Sequence, residues 1–222
     1  MIRLDKYLAN LWLVSRRNVG KYINKILLNW NPVKKSDIKI NFWDIITYEW
    51  FDIEVKEKIY IIINKPKWYI SSNYDEFWYI SYRELLKDCP YENLMNVAGR
   101  LDQDTEWLLL VSNDWDFIHK IISPKWKEEK EYFVELESPI DKNQIDQLKE
   151  WVVLDDWYKT LPSVASIINQ NTIKLIITEW KFHQVKRMME SIGNKVIYLR
   201  RDRIWQYNIE GLELWKWKYI NL

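Results

Sequence analysis

The residues best placed for chemistry lie in the run Gly99-Arg100-Leu101-Asp102-Gln103-Asp104-Thr105-Glu106, directly before an apolar stretch at 107–111. A carboxylate on a loop at the entrance of a strand is well placed to face a cleft, where it can serve as a nucleophile or a base. Arg100, two residues earlier, offers a cation to phosphate or to a structural ion pair. Asp is also a common turn and capping residue, so the run alone leaves both readings of Asp102 open. His119 and His183 are the only histidines, and neither belongs to a Ser or Cys partner motif, which argues against a catalytic triad or a histidine metal site. Cys89 is the only cysteine, so the chain has no disulfide framework and no cysteine-based zinc site.

The elements that must hold these groups can be read from spacing. Leu4, Leu8 and Leu11 recur at helical intervals beside Tyr7 and predict a helix over 3–11. Ser15 is a good N-cap for a second helix through about Lys25, carrying Arg16, Arg17 and Lys21. Ile26-Leu27-Leu28, the pair Asn29-Trp30, and Pro32-Val33 read as a hairpin. Charged residues 54–58 precede an apolar strand at 59–63, which sets a boundary between a helix–helix–hairpin module at 1–57 and a second region at 58–222. In that region strands are expected at 59–63, 107–111, 132–136, 173–178 and 195–200, and helices at 81–86, 117–122, 142–150 and 183–191. This irregular order predicts an α+β fold with a mixed, largely antiparallel sheet flanked by helices, not a doubly wound one.

Charge is divided unevenly along the chain. Net charge is only +1, yet residues 1–40 carry nine Lys and Arg against Asp5 and Asp37, or +7, leaving −6 for the remainder. A basic module on a mildly acidic body suits a polyanionic partner, although a Lys-rich solvated helix face gives the same count. No uninterrupted apolar segment follows Met1, and nowhere do about 18 apolar residues run together, so a cytoplasmic protein without a membrane partner is expected.

The composition is anomalous in one respect: the chain has 15 Trp and only 4 Gly. Trp30, Trp115 and Trp157 each follow Asn or Asp, where Asn-Gly or Asp-Gly would close a tight turn. Trp68, after Lys65-Pro66-Lys67, is in a similar setting. Such turns need positive φ, which glycine accepts and a bulky residue resists by roughly 1–2 kcal/mol. Reading the Trp residues as glycine would restore an ordinary glycine content. The expectation is that a reassigned stop-type codon is glycine in the native chain. A genuinely Trp-rich protein with stacking platforms for RNA is the alternative, but platforms belong on sheet faces rather than in turns.

The segment at 98–111 resembles the signature of the RsuA-type ribosomal RNA pseudouridine synthases: Gly-Arg-Leu-Asp, two residues, Thr, one residue, Gly, then an apolar strand, with Trp107 at the glycine position. The resemblance covers nearly the whole chain. Arg3-Leu4-Asp5-Lys6-Tyr7-Leu8 with Ser15-Arg16-Arg17 is similar to the opening of an S4-type RNA-binding domain, with glycine expected at Trp12. Asn64-Lys65-Pro66-Lys67-Trp68-Tyr69 looks like Asn-Lys-Pro-x-Gly-Tyr, and Asn113-Asp114-Trp115 like Asn-Asp-Gly. Glu129-Lys130-Glu131-Tyr132 resembles the family's second motif, and 179–188, including His183-Gln184-Val185-Lys186-Arg187-Met188, its third. The ending at 214–222 is similar to the family's close once Trp217 is read as glycine.

The resemblance implies a small S4-like domain followed by a pseudouridine synthase domain, and isomerisation of a uridine in small-subunit (16S) ribosomal RNA. That reaction breaks the bond from C1′ to N1 and remakes it to C5 of the same base, with no redox change, metal or organic cofactor. It assigns the catalytic carboxylate to Asp102, acting on a flipped-out nucleotide either at C1′ or on the 2′ proton. Both roles need an ionised carboxylate, which a neighbouring cation favours. Lys186 is the expected cation, with Arg187 the competing choice and an exposed helix lysine the plainer reading. Tyr132 would stack on the target base, or else simply pack in its strand. Arg100 and His183 would contact RNA, and Arg3, Lys6, Arg16, Arg17 and Lys21 form the expected RNA-binding face of the module. The expected partner is small-subunit ribosomal RNA, free or in a partly assembled particle, and a monomer is the simpler expectation. Two alternatives remain: the same reaction on large-subunit (23S) RNA, and a non-catalytic S4-containing RNA-binding factor.

Overall fold

The computed structural model describes residues 1–221 and divides the chain into two compact units. The first comprises Met1–Ile59 together with Leu86–Met95. Its short strand β1 (Ile2–Arg3) leads into helix α1 (Leu4–Asn10), which buries Leu4, Tyr7 and Leu8 along one side. A hairpin follows, β2 (Ile26–Leu28) with β3 (Asn31–Pro32), then β4 (Lys39–Ile40), β5 (Ile45–Tyr48) and β6 (Phe51–Glu54). β3-β2-β5-β6 form an antiparallel sheet, and β4 pairs with β1. Residues 86–95, which the sequence placed in the second region, cluster instead with the first unit. The Tyr91 hydroxyl donates to the Glu54 carbonyl at 2.7 Å and Asn93 Nδ2 to the Leu11 carbonyl at 3.4 Å, while Cys89, Tyr91 and Met95 are buried.

The second helix expected from Ser15 is a 3₁₀ helix, and it begins only at Val19 (Val19–Lys25). Ser15 opens the preceding turn instead, its carbonyl accepting from the amides of Asn18 and Val19 at 2.8 and 3.2 Å. Gly20 and the β-branched Val19 and Ile23 favour an α-helix weakly, and a tighter, shorter winding results.

The second unit, Tyr60–Leu85 with Asn96–Leu222, is built on a nine-stranded sheet. Its elements in chain order are β7 (Tyr60–Lys65), β8 (Tyr69–Ile70), β9 (Ile80–Ser81), β10 (Asn96–Val97), β11 (Glu106–Ser112), α2 (Trp115–Ile122), β12 (Lys130–Leu136), α3 (Lys142–Glu150), β13 (Val164–Asn169), β14 (Thr172–Ile177), α4 (Gln184–Ser191), β15 (Val196–Ile204), β16 (Tyr207–Asn208) and β17 (Trp217–Tyr219). The main path runs β13-β14-β12-β15-β11-β7-β17, with β10 on β11 and β16 on β15. Among the described residues of this sheet only β11 and β15 pair in parallel, so it is mixed and largely antiparallel. The expected helix at 81–86 is a 3₁₀ segment, Tyr82–Leu86. α2 lays Phe117, Ile118 and Ile121 onto Ile62, Leu108, Leu110 and Ile204, which seats β11 and the loop before it on a packed core. α3 carries a capping box between Asp141 and Gln144. Among the described residues no helix is long and apolar enough to cross a membrane.

Among the described residues, eight of the thirteen non-glycine positions with positive φ are Trp: 12, 30, 43, 68, 107, 157, 205 and 215. Asn29 and Trp30, both left-handed, form the two-residue turn between β2 and β3, as a type I′ hairpin requires. Trp115 breaks the expectation, because Asp114 caps α2 by accepting from the Asp116 amide at 3.2 Å and Trp115 is the first helical residue rather than a turn position.

Candidate active site

Asp102 lies on the loop between β10 and β11, and several backbone groups around it are held. Ser71 Oγ donates to the Leu101 carbonyl and accepts from the Leu101 amide, both at 2.9 Å. The Asp102 carbonyl accepts from the Thr105 amide at 3.1 Å, and the Gln103 carbonyl from the Trp68 amide at 2.7 Å. Buried Lys65 donates to the carbonyls of Tyr69 and Pro66 at 2.8 and 3.0 Å and reaches Gln103 at 3.4 Å. Burial pulls the Lys65 ammonium down to about 7, against the opposing pull of Asp104, Asp102 and Glu106.

The start of α4 comes to this loop. His183, at φ +48°, is the N-cap residue of α4 and places its Nε2 3.6 Å from Asp102 Oδ1. Lys186 Nζ lies 3.2 Å from Asp102 Oδ2 and 2.6 Å from Asp104 Oδ1, so two carboxylates share one ammonium. Burial alone would lower the Lys186 pKa. The hydrogen bond to Asp104 and the charges of Asp102 and Asp104 outweigh it, and the pKa is raised. Glu179, buried before the helix, accepts from Tyr158, the Leu161 amide and Gln184 at 2.6, 2.8 and 2.8 Å, which anchors the approach to α4.

Asp102, Arg100, Tyr132, His183 and Leu199 line one pocket, along with Trp180. Tyr132 enters from β12 with its ring almost fully buried, and Arg100 is exposed, its guanidinium making no ion pair among the described residues. The structure thus brings five of the expected residues together: Asp102, Lys186, His183, Tyr132 and Arg100. Arg187 is not among them. It turns the other way, pairing with Asp155 and, at 2.8 Å, with Asp156, and donating to the Phe182 carbonyl. In the first unit Lys6, Arg16, Arg17 and Lys21 are exposed, while Arg3 is tied to the buried carboxylate of Asp5 at 2.7 Å. That bond holds the Asp5 carboxyl below the usual carboxylate range.

Sequence reasoning gave no role to Lys65, Glu179 or Arg201, all buried polar groups that hold this site. Arg201 had a readable signal, since it falls on the inward register of β15 with Leu199. Among the described residues no group of His, Cys, Asp and Glu is arranged to hold a metal.

Comparison with known proteins agrees with this geometry. Residues 59–191 match the family described as RNA pseudouridylate synthase. The chain is 32% identical over 222 residues to an uncharacterized RNA pseudouridine synthase of Aquifex aeolicus, covering 99% of this chain and 92% of the relative. It is 33% identical over 225 residues to ribosomal small subunit pseudouridine synthase A of Vibrio vulnificus, covering 99% and 96%. Among solved structures, a crystal structure of a pseudouridylate synthase superposes with a TM-score of 0.70 at 32% identity, over all of this chain and 96% of the other. A match of this length, over a loop and pocket that bring together a carboxylate, a lysine and a buried tyrosine, places the chain in the RNA pseudouridylate synthase family.

Proposed function

We propose that this RNA pseudouridine synthase isomerises a uridine of small-subunit ribosomal RNA, with Asp102 as its catalytic carboxylate. The observation that carries the reading is that Asp102 and Tyr132 line one pocket from separate elements while Lys186, from a third, pairs with the Asp102 carboxylate at 3.2 Å. Lys186 balances the charge of Asp102 from one side of the carboxylate, and Tyr132 offers a buried ring against which an extruded base can stack. Arg100, exposed at the rim, reaches phosphate or the space that the flipped base vacates. His183 contacts the sugar or backbone beside the target. The 16S substrate is supported by likeness to relatives named ribosomal small subunit pseudouridine synthase A. The first unit acts as an S4-like RNA-binding domain, its exposed Lys6, Arg16, Arg17 and Lys21 facing the phosphates, and the protein works as a cytoplasmic monomer.

The test is to map pseudouridines in ribosomal RNA with and without the gene, and after complementation with Asp102→Asn. Loss of one small-subunit site that the wild-type gene restores and the variant does not is the expected result. Loss of a large-subunit site instead moves the substrate, and no loss at all leaves an RNA-binding factor. An Asp102→Asn protein that still makes pseudouridine removes Asp102 from the chemistry.

A further inference from the structure

Arg201 is fully buried, at 0% exposure, in the middle of β15. Among the described residues no carboxylate pairs with it. Its guanidinium instead donates to three backbone carbonyls: Nη2 to Gly99 at 2.7 Å and to Leu108 at 2.9 Å, Nε to Leu108 at 3.1 Å, and Nη1 to Arg100 at 3.3 Å. Gly99 and Arg100 immediately precede the Asp102 turn, and Leu108 lies beyond it in β11. One planar group therefore grips both arms of the loop that carries Asp102.

A permanently charged guanidinium is costly to bury without an anion, and a leucine or methionine would fill the same inward position on β15 without that cost. Two features make the grip specific to this loop. Gly99 sits at φ +94°, a conformation that a side chain resists, and its carbonyl is the closest acceptor of Arg201. β15 also joins the two halves of the site, since Arg201 stands opposite Trp107 of β11 on one side and opposite Tyr132 of β12 on the other. A fork of donors suits this task better than an ammonium, because its geometry fixes direction as well as distance.

We propose that Arg201 is the positioning residue of the site: by clamping the carbonyls of Gly99, Arg100 and Leu108 it fixes the Asp102 carboxylate relative to the pocket wall carrying Tyr132. This rests on Asp102 being the catalytic carboxylate. A loop freed by even about 1 Å should slow the chemical step about a hundredfold while leaving RNA capture alone.

The experiment compares wild type, Arg201→Lys, Arg201→Met and Asp102→Asn on unmodified ribosomal RNA transcripts, measuring kcat, KM and thermal midpoint for each. Arg201→Lys keeps a cation that can reach some of the carbonyls. It is expected to fold, to lose about a hundredfold in kcat with KM unchanged, and to retain more activity than Arg201→Met. Wild-type kcat in Arg201→Lys, or a loss confined to KM or to thermal stability, overturns the clamp. Should Arg201→Lys fail to fold, Gly99→Ala probes the same contact from the other side by shifting the carbonyl that Arg201 grips. The same kcat loss is expected there, and a wild-type kcat overturns the proposal. Asp102→Asn separates the two claims, because activity in that variant removes the catalytic assignment, whereas an inactive Asp102→Asn beside a fully active Arg201→Lys removes only the clamp.

Discussion

Lys65 shows how a single buried charge can tie the site to the pH dependence of stability. Its ammonium sits under the Asp102 loop with only carbonyls to bond, and burial brings its pKa down to about 7 from the ordinary lysine value of 10.5. Between those two values the unfolded chain holds a proton that the folded chain has released. Stability from this group therefore rises as pH climbs through the window, and it is weakest below the folded pKa, where the native state must keep a buried charge. The slope can reach about 1.4 kcal/mol per pH unit. Urea unfolding between pH 7 and 9 should show a steeper rise for wild type than for Lys65→Met, and parallel curves would rule the effect out. The pairing of Asp102 with Lys186 was legible through the motif resemblance, since a loop Asp and a helix Lys carry no signal alone. Arg187, the competing choice, lies away from the loop: adjacent helix residues point about 100° apart, so the residue after Lys186 faces Asp155 and Asp156.

At the scale of elements, the apolar strands were the most legible part of the chain, because β7, β11, β12, β14 and β15 are runs of branched and aromatic residues with few competing readings. β13 and β17 were missed, and the exposed residues of β13 supply no inward pattern to read. Turns were read by exception: tryptophan in glycine settings predicted positive φ at 30, 68 and 157, and the backbone has it at all three. At 115 an Asp before Trp was read as a turn, yet the same Asp is an equally good N-cap. Left-handed backbone costs a bulky residue roughly 1–2 kcal/mol, so eight such positions would be a heavy burden on a marginally stable fold. Several of these rings gain nothing from burial in return, with Trp157 88% exposed and Trp43 77%. Trp30→Gly in the β2–β3 turn is therefore expected to raise stability by about 1 kcal/mol, read as a higher thermal midpoint. A chain with glycine at all 15 positions should melt higher still, and its pocket should widen where Trp180 now lines it. Intact mass of the protein from its own cells decides the native identity: a mass matching 15 Trp excludes glycine there.

For the whole molecule, the uneven charge makes a prediction about binding that separates the two units by function. Summed over the two units, the first carries a net +3 and the second −2, so at long range the first unit attracts a polyanion and the second does not. Lys6, Arg16, Arg17 and Lys21 are exposed in that unit, with Arg16 also 3.9 Å from the Asp5 carboxylate that holds Arg3 at 2.7 Å. Each phosphate contact releases condensed counterions, so log Kd against log salt should change slope by roughly 0.7–0.9 per cation removed. Replacing Arg16, Arg17 and Lys21 together with Gln should weaken RNA binding, flatten the salt dependence by about 2 to 3 in slope, and leave kcat at saturating RNA unchanged. An unchanged salt slope would show that these residues form only a solvated face. A fall in kcat at saturating RNA would show that the first unit does more than hold the substrate, because the carboxylate, the clamp and the base pocket all lie in the second.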